Sequence, residues 1–282
     1  MDGLPTAGRR PPLTGRGFVR AGLPPGVRRA FSTVATNRRL GRVAMWIFGE
    51  RIPSGRARFN PRPAQLDARL IGLILIKSYE GPEIHLIDRF LRPDLDVLEL
   101  GSSIGLSSAH IARKLYPQRT LVCVEPNATL HPSIRSNVRL NGPNTDLCLV
   151  HAALFDRDEA DVALEIGDEA HVSRLGSGPT STTVPGRSLG SLIEEFLPGE
   201  FSLVCDIEGA ERFFILDSRP EELHACRQML IELHDSTLGG RPVGVDELAA
   251  NLTSRHGFET VTRIRNVLLL ERAAVGSSRH RV

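Results

Sequence analysis

The chain has 282 residues, 41% of them hydrophobic and 24% charged, with a formal net charge of +2. This is the make-up of an ordinary soluble globular protein, long enough for one large domain and an extension. The longest apolar stretch near the start, Leu70–Ile76, falls far short of the ~20 residues that cross a bilayer, and nothing at the N-terminus looks like a secretory signal, since it has no early apolar core.

Charge is unevenly placed. Residues 1–50 hold nine arginines against Asp2 and Glu50, a net of +7, which leaves −5 for residues 51–282. The leader reads as a solvated basic arm, as an arm for an acidic partner, or as an organelle transit segment. Residues 1–63 are therefore expected to be a partly disordered Pro/Gly/Arg-rich extension, 64–272 the folded domain and 273–282 a flexible tail. Within the extension, 31–50 fits a basic amphipathic helix with Val34, Leu40, Val43, Ile47 and Phe48 as its apolar positions. Residues 51–63, with three prolines, read as a linker.

Helical spacing runs from Gln65 to Ser78 and stops at Gly81-Pro82. A short helix is expected over Glu83–Phe90. Alternation of strand and helix then begins: strands over 95–100, 119–124 and 146–151, helices over 105–116 and 128–140. Residues 156–187 read as an inserted β-hairpin with its tip at Gly176-Ser177-Gly178-Pro179. A helix over 188–196 precedes a strand at Phe201–Cys205, a helix over 209–218, a strand at Gln228–Leu233 and a helix over 244–256. Strands near 258–263 and 266–271 close the chain. This order predicts an α/β fold with a mostly parallel sheet, helices on both faces and an antiparallel C-terminal strand pair. Cys123, Cys148, Cys205 and Cys226 form no Cys-x-x-Cys pair and read as reduced thiols in a cytoplasmic protein.

Two segments carry the chemistry. In Asp96-Val97-Leu98-Glu99-Leu100-Gly101-Ser102-Ser103-Ile104-Gly105, an apolar strand ends in a glycine loop that opens a helix. About twenty residues on, Val124-Glu125-Pro126-Asn127 places a carboxylate at the tip of the next strand, where it can accept hydrogen bonds from a ribose diol. The loop lacks the full Gly-x-Gly-x-x-Gly that lets a backbone approach a pyrophosphate. Glu99 at its entrance repels a diphosphate and attracts a cation. Together these favour S-adenosylmethionine, which has no phosphate and carries a sulfonium and an ammonium, over a nicotinamide dinucleotide.

The second segment is Asp206-Ile207-Glu208-Gly209-Ala210-Glu211, three carboxylates in six residues at a strand tip. The next strand ends in Glu232-Leu233-His234-Asp235. Adjacent parallel strands would bring Asp206, Glu232 and His234 to the rim that holds Gly101. A histidine beside carboxylates suits a general base for a hydroxyl. Asp206, Glu232 and Asp235 form an alternative oxygen-ligand set for Mg²⁺.

With Ala152-Ala153-Leu154 and Ile231-Glu232-Leu233-His234, these segments resemble the FkbM-type methyltransferases over roughly residues 80–272. The Asp-Ile-Glu-Gly-Ala-Glu segment is the most specific match, and Ser103 departs from the glycine common at the middle of the loop. The resemblance implies a class I methyltransferase fold, S-adenosylmethionine as donor, and transfer to a hydroxyl of a sugar, glycolipid or polyketide. The acceptor is then a small molecule or glycan, with no nucleic acid expected because the core is not basic. The expected cofactor residues are Glu99, Gly101, Ser102, Ser103, Gly105, Glu125, Pro126, Asn127, Ala152 and Asp206, with His151 to Ala153 near the adenine. The expected catalytic residues are His234 and Asp206. Two rival readings are another nucleotide-dependent enzyme and a non-catalytic module that keeps the fold.

Overall fold

The structure, a computed structural model, describes residues 38–166, 173–176 and 181–272. Its centre is a seven-stranded sheet. The strands are β3 (Asp96–Leu100), β4 (Thr120–Val124), β5 (Asp146–Val150), β10 (Phe201–Cys205), β11 (Cys226–Glu232), β14 (Phe258–Ile264) and β15 (Val267–Arg272), in the spatial order β14-β15-β11-β10-β3-β4-β5. The five strands from β11 to β5 run parallel, whereas β15 pairs antiparallel with both β11 and β14. This is a Rossmann-like, mostly parallel sheet closed by the expected antiparallel pair.

Both faces are buried, so the central strands are largely apolar runs with side chains alternating between two cores. On one face Val97, Leu121, Val204 and Leu230 pack against helices α3 (Gly81–Phe90), α4 (Leu106–Lys114) and α5 (His131–Asn141). On the other, Leu98, Val122, Leu203 and Met229 pack against α6 (Leu189–Phe196) and α7 (Val245–Ser254). From β3 the chain winds outward through β4 and β5, then returns to the other side of β3 through β10. The crevice at the carboxyl ends of β3 and β10 is therefore the switch point of the sheet, where such folds bind ligands.

Three regions differ from the sequence reading. Residues 51–63 are not simply a linker: β1 (Ile52–Ser54) and β2 (Ala57–Phe59) form a hairpin whose Ile52 and Phe59 are fully buried. They share a third core with Ala44 of α1 (Arg38–Phe48) and with Ile71 and Ile74 of α2 (Ala68–Leu75). Second, the helix expected over 209–218 begins only at Glu211, after a turn at 208–210, and winds as a π-helix over Phe213–Asp217. Glu208 and Gly209 both have positive φ (52° and 99°), which delays helix entry. The carbonyls of Ile215, Leu216 and Ser218 accept from the His256 and Arg255 side chains instead of from a following helical turn. Third, the 156–187 insertion is a larger sheet than one hairpin. Strands β6 (Ala153–Leu154), β7 (Glu159–Ile166), β8 (Ser173–Leu175) and β9 (Ser181–Arg187) assemble in the order β6-β9-β7-β8. The expected tip lies mostly outside the described residues, as does the start of the 31–50 helix. Among the described residues no helix is long and apolar enough to cross a membrane.

Candidate functional site

The β3–α4 loop folds back over the sheet by placing Gly101, Ser103 and Gly105 at φ of 84°, 48° and 80°. The Ser103 position explains why glycine is common there: a serine in this conformation costs about 1 kcal/mol. At Gly101 the requirement is stricter, because a Cβ would lie 1.9 Å from the Asp206 carbonyl oxygen. That approach brings the β3 and β10 tips together, with the Asp206 amide donating to the Leu100 carbonyl at 3.0 Å.

The cleft above these tips is lined by Gly101, Ser103, Glu125, Pro126, Ala152 and Asp206 from the expected set, together with Ala153, Leu154 and Glu208. The buried Glu125 carboxylate accepts the Ser103 amide at 2.8 Å through one oxygen and the Asn127 amide at 2.8 Å through the other. Each oxygen keeps a second lone pair for a hydroxyl. Burial pushes the Glu125 carboxyl up to about 7, although the two amide bonds pull it back. Beside it, His131 meets the Glu125 carbonyl at 2.9 Å and His151 meets the Pro126 carbonyl at 2.9 Å.

Glu99, expected to hold the methionine end of a cofactor, does not line the cleft. Its buried carboxylate accepts from the hydroxyls of Ser102 (2.9 Å), Ser107 (2.6 Å) and Ser108 (2.6 Å) and from the Cys123 thiol (3.1 Å). It ties the loop to the first turn of α4. Ser102 is likewise buried, Gly105 precedes α4, and Asn127 caps the short turn at Ala128–Leu130. These three shape the loops and do not line the cleft.

Sequence reasoning missed one wall. Tyr79 and Glu80, between α2 and α3, and Glu83, in the first turn of α3, face Asp206 across the cleft. Glu80 sits at φ 49°, and its Oε2 is buried with no hydrogen-bond partner, as is Asp206 Oδ1, which lies 3.8 Å from His234 Nε2. Burial, and then the charges of Asp206 and Glu99, push the Glu80 carboxyl up to about 8. Asp206 is pushed up to about 7, by burial first and then by Glu232, with His234 pulling the other way. Burial and the Glu80 charge also push Glu83 well above the ordinary carboxyl range. Five carboxylates, Glu80, Glu83, Glu125, Asp206 and Glu208, thus line the cleft, and among its described lining residues there is no lysine, arginine or histidine.

His234 lies just behind this wall. Its Nδ1 is 2.9 Å from Glu211 Oε1, and its Nε2 is 3.8 Å from Asp206 and 3.9 Å from Glu208. Burial alone would lower the imidazole, but the Glu211 bond and the charges of Glu211, Asp206 and Glu208 raise it to about 9. The alternative Mg²⁺ set does not come together. Glu232 accepts from Asn266 Nδ2 at 2.8 Å, and Asp235 accepts the Val245 amide at 3.1 Å, at the start of α7. Among the described residues the group whose ligand atoms lie within 4.8 Å of one another is instead Asp206, Glu211 and His234. Arg241, beside the cleft in sequence, is held by Glu247 through two bonds of 2.9 and 2.7 Å.

No family model matches the chain. A curated protein, the AMB antimetabolite synthetase AmbE of Pseudomonas aeruginosa, is 25% identical over 221 residues, 64% of this chain and 10% of that protein. The chain therefore spans about a tenth of the length of the curated relative it matches. Among solved structures, a ribosomal protein L11 methylase from Lactobacillus delbrueckii subsp. bulgaricus aligns over 70% of this chain and 80% of its own, with 12% identity and a TM-score of 0.39. Aeropyrum pernix fibrillarin, in complex with S-adenosyl-L-methionine, aligns over 67% and 71%, with 13% identity and a TM-score of 0.36. A Streptococcus agalactiae protein of the NADB-Rossmann superfamily aligns over 68% of each chain, with 12% identity and a TM-score of 0.38. Likeness at this level assigns this chain no activity.

Proposed function

We propose that this chain is an S-adenosylmethionine-dependent methyltransferase of the FkbM type, acting on a hydroxyl of a small-molecule or glycan acceptor. The observation that carries the reading is the lining of the cleft: five carboxyl groups and, among the described lining residues, no basic side chain at the switch point of a Rossmann-like sheet. Such a lining offers a dinucleotide's diphosphate no cation to pair with, whereas a ligand with a sulfonium and an ammonium draws these carboxyl groups into their ionised form. The buried oxygens of Glu80 and Asp206 that accept no hydrogen bond fit a cationic group. Glu125 is placed to receive the ribose hydroxyls, and Ala152 and Ala153 offer apolar surface to the adenine. Glu99 supports the loop from behind.

When bound, the cofactor supplies a methyl carbon already activated by its sulfonium. The protein's own work is then to align the acceptor oxygen, exclude water and take one proton. Asp206 and His234 are the candidate groups for that proton. Leu164, from the inserted β7, reaches the cleft wall, and the insertion would act as a lid that selects the acceptor. The relative's name as an antimetabolite synthetase favours a small-molecule acceptor. We assign the methyltransferase unit to residues 64–272. Cytoplasmic action accords with four unpaired cysteines.

Titration calorimetry with S-adenosylmethionine tests the reading. Micromolar binding that weakens at least tenfold in Glu125→Ala supports it. Absence of binding by the folded wild type overturns it and favours a non-catalytic module.

A further inference from the structure

Independently of the catalytic reading, the N-terminal helix carries an unusual surface. Six large hydrophobic side chains are exposed among the described residues, and four of them are on α1: Val43 (50%), Trp46 (86%), Ile47 (56%) and Phe48 (37%). Val43, Trp46 and Ile47 stand at i, i+3 and i+4, so they form one stripe. Arg39 and Arg42 lie one turn before Val43 and Trp46 on the same side, and both are exposed.

The helix is not loose. Its opposite side buries Gly41 and Ala44. A Cβ on Gly41 would lie 1.7 Å from the Ala68 carbonyl oxygen, so α1 and α2 meet backbone to backbone. This contact fixes the apolar stripe pointing away from the protein. The surrounding layer is basic: residues 38–69 hold eight arginines against two carboxylates, Glu50 and Asp67. Those two carboxylates pair with Arg62 and Arg38. The preceding 37 residues add six arginines against Asp2.

We propose that α1 docks in the plane of an anionic lipid surface, with Trp46, Ile47 and Val43 entering the headgroup–acyl boundary and the arginines meeting lipid phosphates. Tryptophan and aliphatic residues beside arginines on one exposed helical face are the composition of an interfacial helix. Charge chooses among partners: a basic layer on a chain whose remainder is acidic is drawn to an anionic surface, and each arginine there contributes roughly fivefold in partition. A nucleic acid would use the arginines but leave the exposed tryptophan, valine and isoleucine without a role. Because α2 leads directly to Tyr79 and Glu80 in the cleft wall, docking would bring the site to lipid-borne acceptors.

Trp46 is the sole tryptophan of the chain, so its emission reports on this face alone. The full chain is titrated with vesicles of phosphatidylcholine, and with the same vesicles containing phosphatidylglycerol. The expected result is a solvent-exposed emission without vesicles and a blue shift with the anionic ones only. Salt should weaken the shift. In a sedimentation assay, the double variant Val43→Ser, Ile47→Ser should lose at least tenfold in vesicle binding. The same variant should keep its far-ultraviolet circular dichroism and its S-adenosylmethionine binding. An emission already blue before vesicles are added overturns the proposal, since residues before 38 or a second copy would then cover the face. Unshifted emission, or vesicle binding undiminished in the double variant, overturns it too, the latter assigning the binding to the arginine-rich leader.

Discussion

Gly101 and Asp206 touch through their backbones: no atom larger than hydrogen fits on the Gly101 α-carbon, because the Asp206 carbonyl oxygen occupies that space. The two parallel strands that flank the cleft are joined at this point, and the glycine also holds φ 84°. Gly101→Ala should therefore separate the strand tips. The strained backbone alone costs about 1–3 kcal/mol, and the displaced Asp206 should weaken cofactor binding by more than tenfold. Thermal denaturation followed by circular dichroism and calorimetric titration check the two effects separately. An unchanged affinity would show that the close approach is not part of the site.

Glu99 gives a contrasting expectation. Its carboxylate is satisfied by three hydroxyls and a thiol inside the protein. Glu99→Ala should lower stability by roughly 1.5–3 kcal/mol, the scale of hydrogen bonds to a charged group. Its effect on cofactor affinity should follow from disorder of the loop, so a ligand concentration high enough to refold the loop should restore most of the melting temperature. Denaturant unfolding with and without S-adenosylmethionine distinguishes this from direct contact.

The cleft also sets a pH dependence. Asp206 and Glu125 are pushed up to about 7 and Glu80 to about 8, from ordinary values of 3.8 and 4.5. The folded chain therefore holds more protons than the unfolded one across that window, and stability falls as pH rises through it. His234, raised from 6.5 to about 9, has the same sign and extends the fall to higher pH. A cationic ligand favours the ionised carboxylates, so its binding should release protons and tighten as pH rises through 7 and 8. Melting curves without ligand should shift down over this range. Calorimetry in buffers of different ionisation enthalpy should show net proton release, reduced in Glu80→Gln.

The sheet was legible in the sequence because its central strands are buried on both faces, so Val97–Leu100 and Phe201–Cys205 read as apolar runs, broken only by Glu99 and Ser202, bounded by turn residues. The β1–β2 hairpin was not. Each strand turns only two side chains inward, Ile52 and Ser54 or Ala57 and Phe59, too few for a period-2 signal, and Pro53 argues against a strand. The cleft's near wall was legible because a strand tip followed by a glycine loop is a local pattern. Its far wall was not, since Tyr79-Glu80-Gly81-Pro82 reads locally as the stop of one helix and the start of another. That Glu80 faces Asp206 is decided by how α2 and α3 pack over the sheet. Glu99 shows another limit: its position was legible, but the inward turn of its carboxylate depends on the seryl hydroxyls at 102, 107 and 108, which no local pattern announces.

The proton acceptor can be assigned by the shape of a pH profile. A base works best when its pKa lies near the working pH. His234, at about 9, is protonated at neutral pH and clamped by Glu211. Asp206, at about 7, presents at the cleft a buried Oδ1 that accepts no hydrogen bond and lies 3.8 Å from His234 Nε2. We therefore expect Asp206 to take the acceptor's proton, while the imidazolium of His234 holds the Asp206 carboxylate in place. Glu211→Gln should return the imidazole towards 6.5, a shift that proton NMR of the ring reads without any acceptor. With an acceptor hydroxyl in hand, the turnover of the wild type should rise through pH 7 and level off. Asp206→Asn should lose ~10²–10⁴ in turnover. His234→Gln should lose less and displace the midpoint upwards, because the charge that lowers Asp206 is gone. A wild-type profile that keeps climbing to pH 9, and flattens in His234→Gln, would transfer the role to His234.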